Sequence, residues 1–362
     1  MKDIIFYAPL GRNTPQYLIG GGEKGCKRTY EILEQAGYKL HIIDKPIIGL
    51  GKRHYIRMAI SAFFYLLKDM ATYKKAIVYI VGFYEKNIYL EWLLLRTAKL
   101  FHHKTIYEAR NGTLVKTYYK NKRIYRMLLD SILKSASTIF CQGQEYVDFI
   151  NQKYQKKAVY TPNYVMRQYL EPYVERKMDP LQLIYTGRVT PSKNIKIILD
   201  VVNELNVENI SAELTVIGAY TSEYKEELDE HCRKIGLDQK RVSFLGSQSF
   251  EVIMEKLKHA HYFVFPSQEK KEGHSNALTE AMAFGVVPVA SNAGFNARVI
   301  QQKQLIVDTV DYMEYVNVIK NIMMNNLWSV YSHQVYDRVC KNYSEEIVKG
   351  SILEAINEIC NH

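Results

Sequence analysis

The sequence predicts an α/β protein made of two doubly wound parallel sheets. Three observations lead there. Short apolar runs, rich in β-branched and aromatic residues, alternate with helical stretches of roughly 10–15 residues, the rhythm of βαβ units. Those runs lack polar alternation, as expected of strands in a parallel sheet covered on both faces. A chain of 362 residues is also long enough for two ordinary domains.

In chain order, the first half offers strands at 3–8, 39–43, 76–81, 104–107, 138–141 and 158–161. Helices fill 24–36, 56–71, 87–101, 117–134 and 144–153. The second half repeats the pattern, with strands at 182–186, 214–217, 242–245, 262–265, 287–290 and 305–307. Its helices fall at 193–206, 222–235, 249–258, 276–284 and 311–325. Between the halves lies QYLEPYVERKMDPL, polar and aperiodic with two prolines, which reads as a linker. The expected division is 1–170, a linker at 171–181, 182–342, and a C-terminal helix at 343–362 able to pack back on the first domain. In that tail Val348, Ile352 and Ile356 recur every fourth residue, a stripe that reads as core.

Composition narrows the function classes. The hydrophobic fraction of 47% is ordinary for a globular chain. Five scattered cysteines without a CxxC pair argue for a reducing compartment and against a disulfide framework. MKDIIFYAPLG reads as a first buried strand rather than a signal peptide. The longest apolar stretches fall well short of the ~20 residues of a spanning helix. The expectation is a cytoplasmic protein that does not cross the membrane. Net charge is +10 but uneven: residues 1–178 carry 30 Lys and Arg against 14 Asp and Glu, and residues 179–362 carry 18 against 24. A basic half joined to an acidic half points to an anionic partner for one face.

Three features carry chemistry. In EGHSNALTEAMAFG, Glu272 stands in a loop and Glu280 in the first turns of the helix that follows, capped by Ser275 or Asn276 and ended by Gly285. A helix start with free N–H groups suits a phosphate, and flanking carboxylates suit hydroxyl-rich groups on either side of it. A nucleotide-sugar has that layout. In YTGRVTPSKN, Arg188 and Lys193 flank a turn at the C-terminal end of a strand, where a guanidinium and an ammonium can hold phosphate oxygens. Gly20, Gly21 and Gly22 fall in the first strand-to-helix loop and permit close backbone approach to a ligand. Each has a plainer reading: solvated helix-end charges, surface cations, an ordinary turn. His274 alone reads as a loop hydrogen-bonder. The shared location in strand-to-helix loops favours function.

GRVTPSKN, FLG and FPSQEKKEGHSNALTEAMAFGVVPVAS together resemble the retaining glycosyltransferases of family 4. GGGEKGCKRTYEILEQAGY and TPNYV extend the resemblance over most of the chain, with its specific part at 184–295. The resemblance implies the GT-B fold, two Rossmann-like domains facing a cleft. It also implies a pair of glutamates separated by seven residues, here Glu272 and Glu280. By position, Arg188 and Lys193 would neutralise the donor diphosphate, and the backbone of Gly273, His274, Ser275, Asn276 and Ala277 would cradle phosphates and sugar. Glu272 would contact the donor sugar near the reacting carbon, and Glu280 the ribose hydroxyls. Gly21 and Gly22 would approach the diphosphate from the first domain, and Ser247 and Gln248 would lie near the base. The family needs no metal, and the sequence has no DxD triplet. Where many relatives place a histidine near the sugar, this chain reads IYEARNG. That puts Glu108, as proton acceptor or sugar-orienting group, with Arg110 and Asn111 on the acceptor side; a structural Glu108–Arg110 salt bridge is the competing reading.

Lys116, Lys120, Lys122, Arg123, Arg126 and Lys134 crowd one segment, interleaved with Tyr118, Tyr119, Tyr125, Met127, Leu128 and Leu129. Arg53, Arg57, Phe63, Phe64 and Tyr65 form a second such stretch. Both have the composition of basic amphipathic helices at an anionic bilayer, with aromatic core as the competing reading. The expectation is a peripheral enzyme on the inner face of the cytoplasmic membrane. It would move a sugar from a nucleotide-diphosphate sugar to a glycan or polyprenyl-diphosphate-linked acceptor in cell-surface polysaccharide synthesis, without cofactor or nucleic acid. Two other classes remain open at this point: a sugar-nucleotide epimerase on the same fold, and a non-enzymatic nucleic-acid binder, for which no recognisable module is present.

Overall fold

A computed structural model describes residues 2–12, 21–46, 50–110, 112–269 and 272–361. The chain divides into two compact units, residues 1–163 with 348–362, and residues 164–347.

The first unit holds six parallel strands: β1 (Asp3–Ala8), β2 (Lys39–Asp44), β3 (Ile77–Gly82), β4 (Thr105–Ala109), β5 (Thr138–Cys141) and β6 (Ala158–Tyr160). Their spatial order is β2-β1-β3-β4-β5-β6. The second unit holds β7 (Leu181–Thr186), β8 (Ala212–Ile217), β9 (Val242–Gly246), β10 (Tyr262–Phe265), β11 (Val287–Ser291) and β12 (Ile306–Val307), in the order β12-β11-β10-β7-β8-β9. Every pairing is parallel. This is the doubly wound class that the apolar runs predict. Burial explains them: β3, β4 and β10 are buried at every position, so their side chains meet helices on both faces.

Strand order fixes where ligands fit. In the first sheet the chain leaves β1 for β2 on one side and for β3 on the other. In the second it leaves β7 for β8 on one side and β10 on the other. Such switch points open crevices outside the carboxyl ends of the strands.

The elements differ from expectation most in three places. Residues 117–134 form two helices, Leu114–Lys120 and Arg123–Ser135. Asn121 separates them in an extended conformation and its side-chain amide donates to the Thr117 carbonyl, a local bond that competes with helix continuation. A helix Trp328–Asn342 was not anticipated. Its Ser, Tyr and His residues hide the period, yet Trp328, Ser332, Val335 and Val339 are buried along one stripe.

The third difference concerns 171–181, which is no free linker. The segment is strapped to the second unit. Arg176 donates to the Lys258, Ala260 and Phe284 carbonyls. Tyr336 donates to the Glu171 carbonyl at 2.9 Å, and Lys258 pairs with Glu171 at 2.9 Å. His261 accepts from the Gln182 amide on Nδ1 and faces the Lys177 carbonyl through Nε2 at 2.7 Å. Burial depresses its pKa to about 4, so the ring is neutral and Nε2 is the donor. The helix Glu345–Asn361 buries Val348, Ile352 and Ile356, and its residues from 348 onward belong to the first unit.

Candidate functional site

At the switch point of the second sheet, the loops after β7 and β10 are stitched together. The Gln268 amide donates to the Ser192 carbonyl at 2.8 Å. Ser192 Oγ donates to Glu269 Oε2 at 2.8 Å, and Asn194 Nδ2 to the Pro266 carbonyl at 2.9 Å. Asn194 takes a left-handed conformation, φ 53°, that asparagine tolerates better than most residues. This turn directs Lys193 inward, where it is buried.

Lys193 Nζ meets Glu272 Oε2 in an ion pair, and both side chains are about one-tenth exposed. Lys193 Nζ also donates to Ser267 Oγ at 3.3 Å and lies 5.2 Å from the Phe265 ring centre. Ser267 Oγ donates to the same Glu272 oxygen at 2.7 Å. Both contacts fall on Oε2, which leaves Oε1 without a hydrogen bond to any described residue. The backbone of Glu272 is wedged against Gly294: a Cβ there would lie 2.2 Å from the Glu272 carbonyl oxygen.

Beyond Glu272, Ser275 caps the helix Asn276–Ala283 by accepting from the Leu278 amide at 3.3 Å. Gly285, φ 68°, ends it, with the Val286 amide returning to the Ala281 carbonyl at 3.1 Å. His274 is buried, bonds Thr279 Oγ1 at 2.8 Å and meets the Tyr343 ring edge-on. Those partners place it as a support of the loop. Gly273, Asn276, Ala277 and Glu280 are half-buried around the helix start. Arg188 is exposed at the end of β7, and its guanidinium makes no ion pair with any described residue. Ser247 and Gln248 are exposed beyond β9. The structure thus brings Lys193 and Glu272 into contact and sets the capped helix start beside them. Ser267 and Gly294 were missed from the sequence. Ser267 stands near the start of the FPSQEKKEGHSNALTEAMAFGVVPVAS segment without a role assigned to it there, Gly294 lies just beyond that segment, and the fold places both against Glu272.

The first unit corrects one expectation. Glu108 and Arg110, at the end of β4, are not presented to solvent. Arg110 Nη2 pairs with Glu108 Oε1 at 2.6 Å, with side chains 6% and 2% exposed. Tyr79 OH donates to the other oxygen at 2.8 Å. Arg110 also donates to the Gly25 carbonyl, Thr29 Oγ1 and Asn163 Oδ1. Burial opposes the guanidinium charge, but the neighbouring Glu108 charge leads a set of partners that outweighs it and raises the pKa. With both oxygens engaged inside the core, Glu108 is an ion-pair partner and is not placed to take a proton from a substrate. Asn111 and Gly20 lie outside the described residues. Gly21 and Gly22 open the helix Gly21–Gln35 at the β1/β3 switch point, where a Cβ on Gly22 would lie 3.2 Å from the Phe83 ring. Among the described residues no cluster of His, Cys, Asp and Glu could hold a metal ion.

Residues 170–341 match the family model of glycosyl transferases group 1. No curated protein sequence matches the chain. Among solved structures, sucrose-phosphate synthase from Thermosynechococcus elongatus is similar over 100% of both chains, at 14% identity and a TM-score of 0.77. A glycosyltransferase from Rickettsia africae matches over 99% of this chain and 98% of its own, at 14% identity and 0.73. The Anabaena protein HepE, solved with UDP-glucose, matches over 99% and 100%, at 13% identity and 0.70. The shared fold is GT-B, and residues 170–341, which carry Lys193 and Glu272, resemble the glycosyl transferases group 1.

Proposed function

We propose that the chain is a retaining, metal-independent glycosyltransferase that uses a nucleoside-diphosphate sugar. The observation that supports this most is the Lys193–Glu272 pair beside a capped helix start at the β7/β10 switch point. Lys193, Arg188 and the first N–H groups of the helix Asn276–Ala283 offer positive charge to a diphosphate. Glu272 Oε1 faces the sugar and Glu280 the ribose hydroxyls. In the transfer step, the bond from the anomeric carbon to the diphosphate oxygen breaks. The acceptor hydroxyl oxygen bonds the carbon on the same face, and its proton passes to the departing phosphate oxygen. With Glu108 withdrawn into the core, that oxygen is the base this reading assigns.

The donor reading is tested without chemistry. UDP or GDP at about 100 times its Kd, with a chelator present, will stabilise the protein by about 2–3 kcal/mol, and Lys193→Ala will remove most of that stabilisation. A shift that requires added divalent metal, or that persists undiminished in Lys193→Ala, counts against it.

The acceptor side of the proposal is a lipid-linked or glycan acceptor at an anionic membrane. No helix among the described residues is long and apolar enough to cross a membrane, so contact would be peripheral. The core takes Tyr118, Tyr125 and Leu129, but Tyr119, Ile124 and Met127 remain exposed beside Lys116, Lys120, Lys122 and Arg123. The helix Lys52–Thr72 buries only Ala62, Leu66 and Met70. Ile56, Ile60 and Phe64 form an exposed stripe there next to Arg53 and Arg57. Each basic group near an anionic surface is worth about 1 kcal/mol. Changing Lys116, Lys120, Lys122 and Arg123 to glutamine will therefore weaken binding to phosphatidylglycerol vesicles by about 100-fold or more, with donor hydrolysis unchanged. Equal loss of both would indicate damage to the fold instead.

A further inference from the structure

We propose that Ser267 is a positioning residue. It holds the Glu272 carboxylate in place when the donor diphosphate draws Lys193 away. This rests on the donor reading above and adds to it a resting contact that the donor must open.

Ser267 is 1% exposed, and the orientation of its hydroxyl is settled by its neighbours. Two of them are donors, Lys193 Nζ and the Glu269 amide, each at 3.3 Å. Its one acceptor among the described residues is Glu272 Oε2, so the single hydroxyl proton goes there. The backbone of Ser267 is fixed in turn, its carbonyl accepting from Ser291 Oγ at 2.6 Å. Glu272 therefore has two holders on one oxygen. One is a rigid, neutral hydroxyl rooted at the end of β10. The other is a flexible ammonium, buried in the loop after β7. A diphosphate carries more negative charge than one carboxylate and competes for that ammonium. When Lys193 turns to the phosphates, Ser267 is the remaining described contact on Oε2, and Oε1 keeps the orientation it needs.

Two measurements test this, with UDP as the probe. Without nucleotide, Glu272 occupies Lys193, so Glu272→Gln will tighten UDP binding by about threefold or more. That gain will vanish in a Lys193→Ala background. Unchanged or weaker binding in Glu272→Gln, or a gain that survives loss of Lys193, would overturn the exchange. Ser267→Ala will lower kcat for transfer about tenfold while the Kd for UDP stays within about twofold, and it will lower kcat by less than about twofold when Glu272 is already glutamine. Additive losses, or equal losses in kcat and UDP affinity, would make Ser267 a merely structural residue. If the unaltered chain binds no nucleoside diphosphate, the donor reading fails first and takes this inference with it. That result is distinct from binding without exchange.

Discussion

Glu272→Ala will lower the turnover number for sugar transfer by about 100- to 10,000-fold while leaving nucleotide binding intact. The magnitude is that of removing one group that acts on the reacting centre in a water-poor site. The geometry supplies the reason. Among the described residues Glu272 is held on one oxygen, by Lys193 and Ser267, and its backbone is locked against Gly294. Removing the carboxylate deletes no backbone anchor, so the loop and its capped helix survive. It also frees the ammonium for phosphate, so UDP affinity is kept or increased. Steady-state kcat with UDP calorimetry on the same preparation separates the outcomes. Turnover within about tenfold of the unaltered protein would reduce Glu272 to a structural partner of Lys193. Loss of both turnover and UDP binding, with a lower Tm, would mean that the pair maintains the loops rather than the chemistry.

Why was the second unit's cluster readable in the sequence, when the first unit's was not? Glu272, Glu280, Lys193 and Ser275 stand in strand-to-helix loops, and parallel sheets bring such loops to one edge. Once β7 and β10 were recognised as apolar runs, their following loops had to converge if the two strands were neighbours. Local chemistry was also legible: Ser275 caps and Gly285 stops a helix in ways that depend on a few consecutive residues. Ser267 was illegible because its partner lies across a loop and its role depends on which way one hydroxyl points. Glu108 misled for a related reason. EAR at the end of a strand looks the same whether the side chains reach a ligand or turn back under the helix Gly21–Gln35. Period in a buried strand cannot distinguish those directions. The strapped segment 171–181 shows the same limit, because its prolines and charges read as a linker while Arg176 and His261 tie it down through backbone carbonyls that no sequence displays.

The largest stability effect will come from that Glu108–Arg110 pair. Arg110→Met or Glu108→Leu alone will cost about 3–5 kcal/mol, because each leaves an uncompensated charge inside the core. For a unit of this size the loss corresponds to a fall in Tm of about 10 °C. Arg110 fastens the first helix as well as Glu108. A Cβ at Gly25 would sit 2.2 Å from Nη1, so helix and guanidinium are in direct contact. The double variant, Glu108→Leu with Arg110→Met, will lose less than the sum of the singles, since neither charge is then stranded. Glu108→Gln separates this role from proton transfer. It keeps the shape of the side chain and an oxygen for Tyr79, but it strands the guanidinium. We expect a lower Tm, with kcat of the folded protein within about tenfold of normal. A normal Tm with transfer abolished would show that Glu108 reaches the acceptor after all, through a rearrangement that exposes a carboxylate now sealed beneath Tyr79 and Arg110.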